Sequence, residues 1–188
     1  MIKFIKILAY SLTPPDGEVF DYLAGVTNQS IDSSSLAPNG LEVNDGVVLC
    51  SSLRRAVECV KQEKDVVFVV LDSLREIRFD LSQICSKNNW EKERSVAVRR
   101  GFKRAFVEDK LPVSREVIFK EIKELLALIK NNYSGQQVTV VSHSFRLKLI
   151  EAYCLSDGAI EKDPNLINSY LLDDRKTYEF GQGFTVGE

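Results

Sequence analysis

Histidine is nearly absent from this chain. One residue, His143, stands in 188. A zinc site built on imidazoles is thereby excluded, and no other zinc-ligand spacing occurs. Four cysteines, Cys50, Cys59, Cys85 and Cys154, form no CxxC and are widely spaced. They read as free, mostly buried thiols in a reducing cytoplasm, although spacing alone leaves disulfides open. No apolar run approaches the roughly 20 residues that cross a bilayer. The start, MIKFIKILAYSL, mixes lysines with apolar residues, but its apolar run is short and Pro14, Pro15 and Asp16 follow at once. It does not read as a signal peptide, so a cytoplasmic chain is expected. Excess charge is missing too. A formal net charge of -2 argues against general binding to nucleic acid or acidic membranes, leaving only local basic clusters. No internal repeat is evident, and Ser33–Ser34–Ser35 is the one low-complexity patch, inside a polar stretch from about Asn28 to Asn44 that reads as loop.

What is present suits one soluble domain over residues 1–188, long enough to bury a core. Residues 3–9 (KFIKILA), 46–50 (GVVLC) and 137–141 (QVTVV) are short β-branched runs, and VVFVVL at 66–71 is apolar on both faces. Such runs suit a mostly parallel sheet covered by helices on both sides. Helices alternate with them. Residues 53–63 follow with Ser51 or Ser52 as N-cap, residues 114–130 follow Ser114, and residues 144–155 bring Leu147, Ile150 and Cys154 together. The expected fold is α/β, a three-layer α/β/α sandwich. The stretch INSYLLDDRKTYEF predicts two short strands about an Asp173–Asp174 turn, forming or extending a sheet edge.

In an open α/β sheet, ligands bind beyond the carboxyl ends of the strands. Three predicted strands end in polar residues: Tyr10–Ser11, Ser51–Ser52 and Ser142–His143. Arg55 lies one turn into the helix after Ser51, and an arginine beside a helix N-terminus is a natural oxyanion or phosphate seat. LDSLREIRFD would bring Glu76 to the same edge. If these strands are neighbours, Ser11, Arg55 and His143 lie within about 10 Å of one another, as a pocket of ordinary ligand size requires.

At these residues the chain resembles the histidine phosphatase superfamily, the phosphoglycerate-mutase-like proteins. SSLRRAVECV is similar to the family's SPLxRAxxTA segment, LREIRFD to its LxEixfG segment, and VTVVSHSFRLKLI to its VxxVsHGgxxR segment. The three occur in the family's order and span most of the chain. The resemblance implies that Glu76 stands at the general acid and that His143 contacts phosphoryl oxygens. Ser51, Arg55 and Ser144 would line the same cleft. The family's RHG motif, whose histidine is phosphorylated, aligns with KILAYSLT. There Tyr10 replaces the arginine, Ser11 the nucleophile and Leu12 the glycine, and no histidine or arginine precedes Arg54. Ser144 and Asp80 replace two further glycines. Phosphohistidine chemistry is therefore expected to be absent. Ser11 as nucleophile would need a base, and His143, the only imidazole, stands as an oxyanion partner instead.

The basic stretch from Asn88 to Lys110 carries Lys92, Arg94, Arg99, Arg100, Lys103, Arg104 and Lys110 against four acids. It falls where the family inserts a helical lid, here expected around 82–112. Arg99–Arg100 is loosely similar to a substrate-binding pair of the family, yet a solvated basic helix face is the plainer reading. Three functions stay open. The first is a divergent member that binds phosphate or a phosphorylated small molecule without phosphohistidine catalysis. The second is a phosphatase or mutase acting by an altered route. The third is a partner-binding structural module. No metal or cofactor is expected, and neither partners nor oligomeric state can be named.

Overall fold

The computed structural model describes residues 1–6, 46–63, 66–170 and 181–186. Among these residues, five strands form one sheet: β1 (Ile2–Lys6), β2 (Val47–Ser51), β3 (Phe68–Leu71), β4 (Val138–Ser142) and β5 (Gly183–Val186). Their order is β3-β2-β4-β1-β5; the first four are parallel, and β5 runs antiparallel to β1.

Helices cover both faces, because alternate strand residues point to opposite sides. On one face Ile5, Val48, Cys50 and Val141 pack with Ala56, Cys59 and Val60 of α1 (Arg54–Lys61). On the other, Phe4, Leu49, Val138 and Val140 pack with α4 (Ser95–Val107), α5 (Arg115–Asn132) and α6 (Ser144–Leu155). Two short helices, α2 (Leu81–Ile84) and α3 (Lys87–Glu93), precede α4. Ser114 caps α5 by accepting from the Val117 amide at 3.4 Å. The helix then buries Ile118, Ile122, Leu125 and Ile129 along one stripe. Gly101 lets α4 cross close to α2, since a Cβ there would sit 1.9 Å from the Ile84 carbonyl oxygen.

The register sets the site. Lys6 lies opposite Ser142, Cys50 opposite Val141 and Ser51 opposite Leu71, so these strands end along one edge. Between neighbouring strands β2 and β4 the chain leaves to opposite faces, into α1 and into α6. Such a switch of face opens a crevice at the strand ends.

Several expectations need correction. The run at 66–71 is not covered on both faces: β3 is the outer strand, with Val67 85%, Val69 40% and Val70 46% exposed. Neither Ser51 nor Ser52 caps α1. Leu53 is the N-cap residue, without a side-chain bond, and Ser51 ends β2. Where the first of the two C-terminal strands is expected to begin, residues 167–170 form a short helix, α7 (Ile167–Tyr170). An edge strand follows at Gly183–Val186, which packs Phe184 flat on Phe4 with ring centroids 4.5 Å apart. The Asp173–Asp174 turn and the second expected strand up to Phe180, Ile7–Ala9 of the first strand and the 28–44 loop lie outside the described residues. All four cysteines are free thiols; Cys50, Cys59 and Cys85 are buried. Burial, then the neighbouring Cys59, pushes the Cys50 thiol up to about 12, which leaves it inert as a nucleophile.

Candidate functional site

At the ends of β2 and β4 stands His143, the residue just after β4 and the N-cap of α6. It is buried with Ser51 and Arg55. The Arg55 Nη2 lies 3.1 Å from His143 Nδ1, and His143 Nε2 lies 2.8 Å from Ser51 Oγ. Arginine can only donate, so Nδ1 accepts. The single ring proton of the neutral imidazole is then on Nε2 and is donated to Ser51 Oγ. That hydroxyl also accepts from the Leu53 amide at 3.2 Å, which explains why Ser51 lies before the helix rather than at its cap.

Burial, followed by the positive charges of Arg55, Arg146 and Arg75, holds His143 well below its ordinary value of 6.5. Three arginines from three elements thus face one neutral ring. Removing this charge pattern from water is costly unless something compensates it. Compensation comes partly from Glu76, whose Oε1 accepts from the amides of Ile77 and Arg146, each at 3.0 Å, and whose Oε2 accepts from the Phe145 amide at 3.3 Å. Glu76 therefore sits at the N-terminus of α6, where the helix dipole favours a carboxylate. Burial raises its pKa; the three amides and Arg55 pull back, yet the balance stays above the ordinary value.

Ser51, Arg55, Glu76 and His143 are thus brought together as the sequence expected, and Ser144 follows as the first residue of α6. Tyr10 and Ser11 lie outside the described residues. Two of the polar strand-end residues act as ties. Ser142 donates its hydroxyl to the Leu74 carbonyl at 2.7 Å, tying β4 to the segment that carries Glu76. Ser52 donates to Asp72, beside Arg75, whose Nη1 lies 3.5 Å from the Ser52 hydroxyl. One contributor, Arg146, escaped sequence reasoning. Arg146 is buried within the first turn of α6. A usable signal did exist for Arg146: it stands three residues after His143, on the same helical face. Among the described residues, no three of His, Cys, Asp or Glu gather as metal ligands, and no helix is long and apolar enough to cross a membrane.

A model of the histidine phosphatase superfamily (branch 1) matches residues 32–166. The chain belongs to this superfamily. The matched region takes in Ser51, Arg55, Glu76, His143 and Ser144, and it begins after Tyr10 and Ser11. Among solved structures, one is similar that is described as a candidate alpha-ribazole-5'-P phosphatase from Escherichia coli str. K-12 substr. MG1655. It has 15% identity and a TM-score of 0.49, covering 96% of this chain and 86% of that one. No curated protein matches the chain significantly.

The buried histidine gives a pH signature. Its folded-state pKa lies below the unfolded value, so the unfolded chain binds the extra proton. The stability tied to neutral His143 is complete above about 6.5 and is lost as pH falls from there toward the folded value. Glu76 has the opposite sense: its stabilisation is present below about 4.5 and is lost as pH rises through its raised folded value. No other histidine titrates in this range. The gap in urea midpoint between wild type and His143→Asn should therefore shrink between about pH 7 and pH 5. A gap that stays constant would mean that His143 titrates normally.

Proposed function

We propose that this superfamily member binds phosphate, or the phosphoryl group of a small molecule, in the crevice at Ser51, Arg55 and His143, without passing that group through a phosphohistidine. One observation carries the reading: the only histidine is held neutral, its Nδ1 lone pair taken by Arg55 and its Nε2 proton given to Ser51. Neither nitrogen offers a free lone pair to phosphorus. The same arrangement offers donors to an anion that displaces these contacts, namely the Arg55 guanidinium and the Nε2–H of His143.

A partner-binding module with a relic pocket fits less well. Two nearly buried arginines, Arg55 at 5% and Arg146 at 4% exposure, are a poor structural filler, since apolar residues of similar volume do as well or better. Glu76, with both oxygens held by backbone amides, acts in this reading as the anchor of α6 rather than as a working acid. The chain is taken as one domain in which α2, α3 and α4 roof the crevice. Support comes from Phe102 of α4, whose ring stacks on Phe145, two residues from His143, at 3.9 Å between centroids.

Inorganic phosphate titrated into the labelled protein should shift the amides of Ser51 to Arg55 and of His143 to Phe145. Binding should be weak, because Glu76 and Asp72 share the crevice edge. Arg55→Ala should abolish the shifts at Ser51 while the spectrum stays folded. Unchanged shifts in that variant would overturn the assignment.

A further inference from the structure

Phosphate binding at Ser51, Arg55 and His143 leaves one buried charge without a task. Arg146 Nε donates to the Arg75 carbonyl at 3.0 Å, and its Nη2 pairs with Glu121 Oε2 at 2.7 Å. Its own amide donates to Glu76 Oε1 at 3.0 Å. Its Nη1 is buried and has no hydrogen-bond partner among the described residues. One side chain thereby joins the first turn of α6 to α5 and to the segment carrying Arg75 and Glu76. The geometry alone would serve as a strut. A strut, however, needs no charge, and a guanidinium with an unused buried N–H is an expensive one.

We propose that Arg146 is a positioning residue of the anion seat that acts through its charge: with Glu121 as its counter-charge, it sets the positive potential felt at His143 and at an anion on Arg55, without touching the ligand. The proposal rests on the phosphate-binding reading above. The Arg146 side chain is 5% exposed, so a ligand reaches it only through the field. Distance does not remove the effect, because charges in a poorly hydrated crevice are weakly screened. The charged groups acting on His143 are Arg55 from α1, in contact with the ring, Arg75 from the segment after β3, and Arg146 from α6, whose amide in turn holds Glu76. Glu121 on α5 is the partner of Arg146. The depressed pKa of His143, with Arg146 among its causes, agrees with this placement.

Two substitutions separate a field from a strut. Arg146→Met keeps much of the volume and removes the charge. Glu121→Gln keeps an oxygen for Arg146 Nη2 and removes the opposing charge, at a position where the Glu121 side chain is 32% exposed and tolerant of exchange. Phosphate affinity and the His143 pKa would be read by NMR on the full chain. In Arg146→Met, phosphate should bind about fivefold more weakly and the His143 pKa should move toward its ordinary value. In Glu121→Gln, both should move the other way: tighter phosphate and a still lower pKa. A strut predicts that both variants weaken binding together, and that result would overturn the proposal. Should Arg146→Met fail to fold, the sign of the Glu121→Gln effect decides alone. Should wild type bind no phosphate, the phosphate-binding reading falls. The opposite movement of the His143 pKa in the two variants would then still support Arg146 as the source of the field, and movement in one direction would refute it.

Discussion

Phosphomonoester hydrolysis by the purified chain should stay at the uncatalysed background, with no acid-labile phosphoenzyme. The expected loss is large, because a nucleophile works as a unit with its partners; in a serine protease its removal costs on the order of 10⁶ in kcat. Here the one imidazole has its basic nitrogen against Arg55, and its Nε2–H donates to Ser51 Oγ. Charging it is opposed by burial and by three arginines, so it is also a poor acid near neutral pH. Ser51 is no substitute nucleophile. It accepts from both His143 and the Leu53 amide, and the nitrogen facing it already carries a proton. Residual electrostatic stabilisation by Arg55 permits at most slow attack by water. The decisive comparison is steady-state turnover of a simple aryl phosphate by wild type and by His143→Ala after repeated purification. Robust turnover that His143→Ala removes would refute the inactive reading and favour an altered mechanism.

Phe102→Ala should destabilise the fold by about 3–5 kcal/mol, the usual range for truncating a fully buried phenylalanine. Phe102 is 0% exposed on α4, stacks on Phe145, and meets the edge of Phe79 at 5.9 Å between centroids. Phe79 in turn stands edge-on to Phe145 at 5.2 Å. The three rings lock α4 to the first turn of α6 and to the chain just after Glu76. Their loss should therefore lower the urea midpoint sharply and also broaden the amide signals of His143 to Arg146. An unfolding free energy within about 1 kcal/mol of wild type would show that the cavity collapses freely and that the ring cluster holds nothing in place.

Much of this was legible from residue order. The β-branched runs announced β2 and β4 within a residue of their ends, because a strand buried on both faces needs apolar side chains on both. α5 and α6 followed from helical spacing, and Ser114 from its capping chemistry. The same logic misjudged VVFVVL. An apolar run reports an extended conformation but not a strand's place in the sheet, and among the described strands β3 pairs with β2 alone. It also misjudged residues 167–170, where the packing of Ile167 into the core favours a helical turn over a strand.

The sequence by itself determined the α/β class and the convergence of Ser51, Arg55, Glu76 and His143, because residues that end parallel strands share one edge whatever the loops between them do. Only the tertiary structure decided what those residues do to each other. The tautomer of His143, the capture of Glu76 by the amides of Phe145 and Arg146 and the burial of Arg146 against Glu121 all depend on donors and charges brought together from 25 to 92 residues apart. Local periodicity carries no record of such pairings, since hydrogen-bond direction and desolvation exist only once separate elements have packed.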